Sequence, residues 1–213
     1  MGDVRRVVGR STVDLAAAAF AELRARYARV VLDIGTGDGK HVLNLARRHS
    51  DALVIGLDAN AEAMRRTAAR AAAKPARGGV PNAVFVWAAA EQLPVELTGI
   101  DEVHVLMPWG SLLRAFAGPD PDVLSGIAAC APGATFLVTL NLHAWRPPVP
   151  EVGDTAEPTP ETATAMLTTA GWPVDSAEYL DEAGVAALGT SWTKRLGSSR
   201  DALAVLALRG TLP

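Results

Sequence analysis

Val30-Val31-Leu32-Asp33-Ile34 is an almost wholly apolar run that empties directly into Gly35-Thr36-Gly37-Asp38-Gly39-Lys40. A strand this apolar has no polar face to offer water, so it belongs inside a parallel sheet covered by helices on both faces. The rest of the first 140 residues keeps that rhythm. A helix is predicted from the glycines to about Arg48, then a strand at Leu53–Asp58 and a basic helix capped by Asn60 that ends near Lys74-Pro75. Further strands are predicted at Val84–Trp87, Glu102–Leu106 and Ala134–Leu140, with a helix over 121–130. Strands alternating with helices make an α/β chain with a mostly parallel sheet.

The flanks are less regular. Arg5–Arg10 reads as a short extended or hairpin-like arm, and Asp14 as the N-cap of an Ala-rich helix reaching about Arg26. Residues 143–158 are rich in proline and polar groups without a helical or strand period, and read as an insertion. A helix near 160–170, a strand near 173–180 and a last strand at Leu203–Leu208 complete the chain. The 213 residues, 49% of them hydrophobic, suffice for one domain spanning 1–213, with 1–29 as an N-terminal extension.

Several function classes drop out on composition. No apolar run approaches the ~18 residues of a membrane span. Cys130 is the single cysteine, which excludes a disulfide scaffold and suits a reducing, cytoplasmic setting. His41, His49, His104 and His143 are scattered without ligand spacing, so no metal is expected. The overall charge of -3 conceals a split. Residues 1–80 carry 14 Lys/Arg against 8 Asp/Glu, net +6, whereas 81–213 carry 6 against 15, net -9. Such asymmetry hints at a polyanionic partner, although an ordinary solvated surface produces it too.

Ligands of open α/β sheets bind at the carboxyl ends of the strands, where strand order reverses. Three such ends carry suitable residues. At the first, Asp33-x-Gly35-x-Gly37-x-Gly39 lets the backbone approach a ligand closely. Its acidic residues repel a pyrophosphate, so the loop suits S-adenosylmethionine better than a dinucleotide. At the second, Asp58 stands about 20 residues beyond the glycines, where a carboxylate accepts hydrogen bonds from ribose hydroxyls. At the third, Ala88-Ala89-Ala90 leaves room for an adenine ring whose edge Glu91 can bond.

The acceptor side is read from two tryptophan segments. Leu106-Met107-Pro108-Trp109-Gly110 follows the fourth strand of the alternating region. Enzymes that methylate the adenine amino group carry there a polar residue, two prolines and an aromatic. Here the proline and the stacking aromatic remain but the amine acceptor is missing, which points to a base and towards a ring nitrogen. Thr190 to Arg200 places Trp192 in a polar loop beside Arg195 and Arg200. Cations interleaved with an aromatic suit flipped or single-stranded nucleic acid. Arg66, Arg70 and Lys74 are predicted on one helix face as a phosphate-tracking row.

With these residues in view, the chain resembles the Kam-type family. The resemblance rests on Val-Leu-Asp-Ile-Gly-Thr-Gly-Asp-Gly-Lys (31–40), Lys-Pro-Ala-Arg-Gly-Gly (74–79), Met-Pro-Trp-Gly-Ser-Leu-Leu (107–113) and Ser-Trp-Thr-Lys-Arg-Leu (191–196). Asn-Leu-His-Ala-Trp-Arg-Pro (141–147) is similar to its kanamycin–apramycin members. These are aminoglycoside-resistance 16S rRNA methyltransferases that modify N1 of adenine 1408 in the decoding site. The resemblance implies a class I Rossmann-like methyltransferase fold, with a mostly parallel seven-stranded sheet. It also implies a monomeric enzyme that uses S-adenosylmethionine and acts on the assembled 30S subunit. By the same resemblance Asp33, Asp58 and Glu91 match cofactor contacts, beside Gly35, Gly37 and Ala90 from the strand-end reading, and Ser111 and Thr190 match contacts to the cofactor's tail. Trp109 and Trp192, with the Pro108 backbone, match the pair that stacks the target base; Arg195 and Arg200 match residues holding the flipped nucleotide. Arg70 and Lys74 match the docking surface.

Adenine N1 carries a free lone pair at neutral pH, so methyl transfer to it needs alignment rather than a general base. Two other classes stay open from the residues alone. A small-molecule methyltransferase would seat its substrate under the 143–158 insertion, and would ignore charge reversal at Arg66 or Arg70. A non-catalytic RNA-binding module would not need the acidic cofactor positions.

Overall fold

A computed structural model of the chain describes residues 4–118, 120–146, 152, 155–191 and 204–213. Its centre is the predicted parallel unit. Strands β3 (Arg29–Ile34), β4 (Ala52–Asp58), β5 (Ala83–Trp87), β6 (Glu102–Leu106) and β7 (Thr135–Asn141) pair in parallel, in the order β5-β4-β3-β6-β7. The chain works outward from β3 to β5, then returns to lay β6 on the other side of β3. That reversal puts the switch point between β3 and β6.

Helices cover both faces, as the apolar strands require. On one face α2 (Lys40–Arg48) and α3 (Ala61–Ala71) bury Val42, Leu43, Ala46, Met64 and Ala68 against Val31, Val54 and Phe85. On the other, α1 (Ala17–Arg24), α4 (Gly110–Ala117) and α5 (Pro121–Cys130) share one core cluster with Leu32, Ile34, Leu53 and Ile55, and α6 (Pro160–Thr169) covers the last two strands of the chain. Adjacent residues of β3 therefore face opposite layers, and both are dry. Burying a Val or Leu side chain contributes ~1.5–3 kcal/mol, so this strand alone anchors a large share of the core. Helix α4 and the short α7 (Glu182–Ala187) were not among the helices expected from the sequence.

The expected seven-stranded, mostly parallel sheet is corrected. Among the described residues the sheet is mixed and nine-stranded, in the order β2-β1-β5-β4-β3-β6-β7-β9-β8. Strands β8 (Val174–Tyr179) and β9 (Val205–Thr211) join antiparallel beyond β7. The two extra strands are β1 (Val4–Val8) and β2 (Ser11–Leu15), a hairpin that docks antiparallel on β5. The Arg5 guanidinium lies 3.8 Å from the Trp87 ring centroid and fastens that edge. Asp14 consequently is not a helix cap. It lies in β2 opposite Arg5, and α1 starts after Ala16 with no side-chain cap, because the hairpin ladder claims the residues a cap would need.

Two boundaries also move. Helix α3 starts at the Asn60 cap as predicted but ends at Ala71, so Lys74 is not on its face. Lys74 instead precedes a 3₁₀ turn over Pro75–Arg77, where the proline has stopped the helix. Within the segment expected to be an irregular insertion, Leu142–Trp145 form a 3₁₀ turn capped by Asn141. Among the described residues no helix is long and apolar enough to cross a membrane.

Candidate active site

At the switch point the carboxyl ends of β3, β4, β5 and β6 surround one cleft of about 350 Å³. It lies within the ~300–1,000 Å³ that small-molecule sites occupy. Gly35 and Gly37, Asp58 and Asn60, Ala88, Ala90 and Glu91, and Met107, Trp109 and Ser111 line it. Seven of the residues singled out from the sequence therefore meet in one place: Gly35, Gly37, Asp58, Ala90, Glu91, Trp109 and Ser111.

Local chemistry explains the first wall. Gly35 has φ +74, and a Cβ there would lie 2.6 Å from Leu112 Cδ2, so no side chain fits between the loop and α4. The backbone N–H groups of Gly35 and Thr36 donate to the Leu57 carbonyl at 2.8 and 3.0 Å, which ties the glycine loop to β4. The Asp58 carboxylate accepts from Gly37 N at 2.7 Å and from Asn60 N at 2.8 Å. Burial pushes this carboxyl above the ordinary aspartate range, against the two backbone donors. Glu91 is exposed at the cleft's rim, on a 3₁₀ turn after β5.

The opposite wall is held differently. Met107 is the one described non-glycine residue with positive φ, at +50. A left-handed non-glycine backbone costs about 1–3 kcal/mol and persists only where its surroundings enforce it. Here the Met107 N–H donates to both the carbonyl and the hydroxyl of Thr139, at 2.9 and 3.0 Å. Pro108 is buried, and half-buried Trp109 enters α4 while packing on the core below the cleft. Trp109 thus serves the core and the cleft together. Neither Thr139 nor the Met107 backbone was found from the sequence; a threonine inside an apolar strand was the available signal.

Asp33 and Thr190 do not line this cleft. With Thr36, Asp38, His41, Leu106 and Ser191 they surround a neighbouring hollow of about 20 Å³, which shares Gly35 with the cleft. Asp33 is fully buried there. Beside it runs an unforeseen chain: His41 Nδ1 lies 2.6 Å from the Leu188 carbonyl, His41 Nε2 2.9 Å from His104 Nδ1, and His104 Nε2 2.7 Å from Glu102. Because both ends are acceptors, closing all three bonds takes three protons on two rings. Burial lowers the His41 pKa, while Asp33 opposes that shift. The hydrogen bond from His104 holds Glu102 below the ordinary carboxylate range. Asp33, His41 and His104 also form the one described group able to converge on a metal ion, with ligand atoms within 4.8 Å. The facing ring nitrogens bond each other, so a proton already satisfies them. The strand bearing His104 is otherwise apolar after Glu102, and that lone polar residue was the readable signal.

The predicted basic row is split between elements. Arg66 and Arg70 are exposed on α3, and Lys74 is exposed beyond its end. Neighbouring Arg65 pairs with Glu62. Trp192, Arg195 and Arg200 lie outside the described residues.

Comparison with known proteins was made against this geometry. A family model described as NpmA, 16S rRNA (adenine(1408)-N(1))-methyltransferase, matches residues 5–211. A 16S rRNA (adenine(1408)-N(1))-methyltransferase of Streptoalloteichus hindustanus is 56% identical, over 98% of this chain and 99% of its own. The crystal structure of the 16S rRNA methyltransferase KamB superposes with a TM-score of 0.91 at 54% identity, covering 98% of this chain and 99% of that one. A mutant of the 16S rRNA (adenine(1408)-N(1))-methyltransferase from Catenulisporales acidiphilia, solved with cosubstrate SAM, superposes at 0.88 with 38% identity. The match covers 98% of this chain and 96% of that one.

Proposed function

The chain belongs to the family of 16S rRNA (adenine(1408)-N(1))-methyltransferases, and from that premise we propose how its cleft is used. It is an S-adenosylmethionine-dependent, aminoglycoside-resistance enzyme that methylates 16S rRNA at N1 of adenine 1408. It works as a single domain, as a monomer in the cytoplasm, on the decoding site of the assembled 30S subunit. The observation that carries the reading is the meeting of Asp58, Glu91 and Trp109 in one cleft at the switch point.

S-adenosylmethionine supplies an electrophilic methyl group. The residues fit it: Asp58 holds the ribose hydroxyls, Glu91 the adenine edge beside the small Ala88 and Ala90, and Gly35 and Gly37 admit the backbone close to the ligand. Asp33, Ser111 and Thr190 serve its amino-acid tail, Asp33 and Thr190 from the adjoining hollow. Trp109 and Trp192 stack the two faces of the extruded adenine, replacing the neighbours it leaves in the helix. The Pro108 backbone, buried behind Trp109, sets the base edge. Arg195 and Arg200 hold the flipped nucleotide, and the exposed Arg66, Arg70 and Lys74 contact phosphates. N1 would attack the sulfonium methyl carbon with its own lone pair as the methyl–sulfur bond breaks and S-adenosylhomocysteine leaves, so no residue takes a proton. Catalysis rests on alignment, which in well-oriented systems is worth ~7–11 kcal/mol. The methylated ring is cationic, and the indole faces favour that charge as it develops.

Primer extension on 30S subunits treated with enzyme and S-adenosylmethionine tests the reading. A single new stop at A1408 is expected, lost in Trp109→Ala and Trp192→Ala but retained in part by the Phe variants. Both Ala variants should keep near-normal cofactor affinity. Wild-type methylation by the folded double-Ala protein removes the stacking pair from the mechanism. Methyl transfer without RNA would instead favour a small-molecule acceptor.

A further inference from the structure

We propose that Asp38, Lys40 and His41 form a clasp that positions residues 188–191, and with them Thr190 and the following Trp192, for methyl transfer. The inference rests on the base-stacking role given to Trp192 above. Its observations are independent of that role. Ser191 Oγ donates to Asp38 Oδ2 at 2.7 Å, and Lys40 Nζ donates to Ser191 Oγ at 2.9 Å. Lys40 Nζ also pairs with the same Asp38 oxygen at 2.9 Å, closing a three-membered ring of side chains. Next in the chain after Lys40, buried His41 donates from Nδ1 to the Leu188 carbonyl at 2.6 Å.

These contacts join positions 147 to 153 residues apart in the chain, so no local preference explains them. Leu188 ends α7's turn and packs with Met107 in the cluster below the cleft. The clasp thus grips its segment at both ends, Leu188 and Ser191. Burial alone would raise the Asp38 carboxyl, yet the hydrogen bonds from Ser191 and Lys40 hold it below the ordinary range.

The base of the clasp is itself immobilised. Gly39 has φ +72, and a Cβ there would lie 2.3 Å from the Phe85 ring, so the loop is pressed on β5. Thr67 of α3 donates its hydroxyl to the Asp38 carbonyl at 2.5 Å. His41 is braced by His104, which Glu102 holds in turn. Glu102 also pairs with Arg29 at 3.2 Å. The loop that borders the cofactor cleft therefore also sets residues 188–191, which precede Trp192 in the chain. None of Asp38, Lys40 and His41 needs to touch substrate; they act through 188–191.

The test uses full-length Lys40→Met, Ser191→Ala, the double variant, and His41→Asn against His41→Leu. Readouts are turnover on 30S subunits, cofactor affinity by calorimetry, melting temperature, and amide hydrogen exchange of 188–191 in the free enzyme. Losing one charge-assisted contact should lower turnover about three- to tenfold. Exchange at 188–191 should rise by a similar factor, with cofactor affinity falling by no more than that factor through Thr190 and melting temperature nearly unchanged. Lys40→Met combined with Ser191→Ala should be no worse than either alone, since both break one ring. His41→Asn keeps a donor near Leu188 and should exceed His41→Leu in turnover; because His41→Leu strands His104 in the core, the exposed Lys40→Met decides if it fails to fold. Wild-type turnover and exchange in Lys40→Met and Ser191→Ala overturn the clasp. Trp192→Ala serves as reference: if it stays fully active, the stacking reading fails, whereas an inactive Trp192→Ala beside unaltered clasp variants condemns the clasp alone.

Discussion

The two walls of the cleft are built by opposite means. The wall of β3, β4 and β5 is made from short-range contacts: Asp58 reaches Asn60 two residues away and Gly37 across 21. Its groups are backbone N–H donors, glycines and alanines, with one carboxylate among them. The wall of β6 and the 188–191 segment is made from distant side chains. Thr139 fixes Met107 across 32 residues, and Asp38 holds Ser191 across 153. The first wall is set once its strands pair, because β3 and β4 are parallel neighbours in register from Arg29 to Ile34. The second wall needs more of the chain: β6 and β7 must pair before Thr139 meets Met107, and Ser191 must close on Asp38. On the proposed reading, ligand recognition sits on the more locally built side, and alignment of the acceptor on the side that draws on more distant parts of the chain.

If the walls divide the work in this way, variants should divide too. The largest effect belongs to Asp58→Ala. Two hydrogen bonds to a charged group, at ~1.5–3 kcal/mol each, set the upper scale for lost cofactor affinity. Calorimetry should show a rise in Kd of about a hundredfold, while turnover at saturating cofactor stays close to wild type. An unchanged Kd breaks the assignment of that wall.

Thr139→Val should do the reverse. It removes the hydroxyl that accepts from Met107 N and leaves the Thr139 carbonyl bond in place. One buried hydrogen bond is worth ~1 kcal/mol, so turnover should fall about fivefold with cofactor affinity unchanged. Thr139→Ser should recover most of the rate. A fall in affinity instead of turnover would erase the distinction between the walls.

The smallest effect is in pH. Burial holds the Asp58 carboxyl above its ordinary value, and on the proposed reading its ionised form accepts from the ribose hydroxyls. Cofactor affinity should therefore be full at neutral pH and fall on acidification, starting above the ~3.9 of an exposed aspartate. The sign follows from protonation removing the acceptor as pH drops through the raised pKa. Asp58→Asn should lack this acid limb; an identical limb in that variant would assign it to another group.

The same division governs what the sequence reveals. Asp58 was legible because it closes an apolar strand about 20 residues beyond the glycines, and the apolar β3 followed by glycines announces a switch-point loop without further help. Trp109 was legible as an aromatic among loop residues, with a core position as the alternative; the structure gives it both duties. Of the His41–His104–Glu102 chain only the polar His104 in an apolar strand was legible, since spacing along the chain says nothing about two histidines brought together by β6 lying beside β3. Lys74 was misplaced because helical spacing was carried past the point where Pro75 ends the helix. Asp14 was misread because a local cap preference, ~1 kcal/mol, competes poorly with a strand ladder.

The hairpin that displaced that cap also protects the molecule in solution. Without it, β5 would end the sheet, presenting Ala-Val-Phe-Val-Trp as an open row of unpaired backbone groups on a nearly wholly apolar strand. Such an edge is a template for pairing with another chain and thus for aggregation. The hairpin moves the open edge to β2, whose Ser11, Asp14 and flanking Arg10 make a poor template. Its Val13, 44% exposed, is the single large apolar side chain that strand shows to water. Two short strands at the margin of the sheet thereby keep the cofactor-binding strands of one copy from becoming the growth surface for the next.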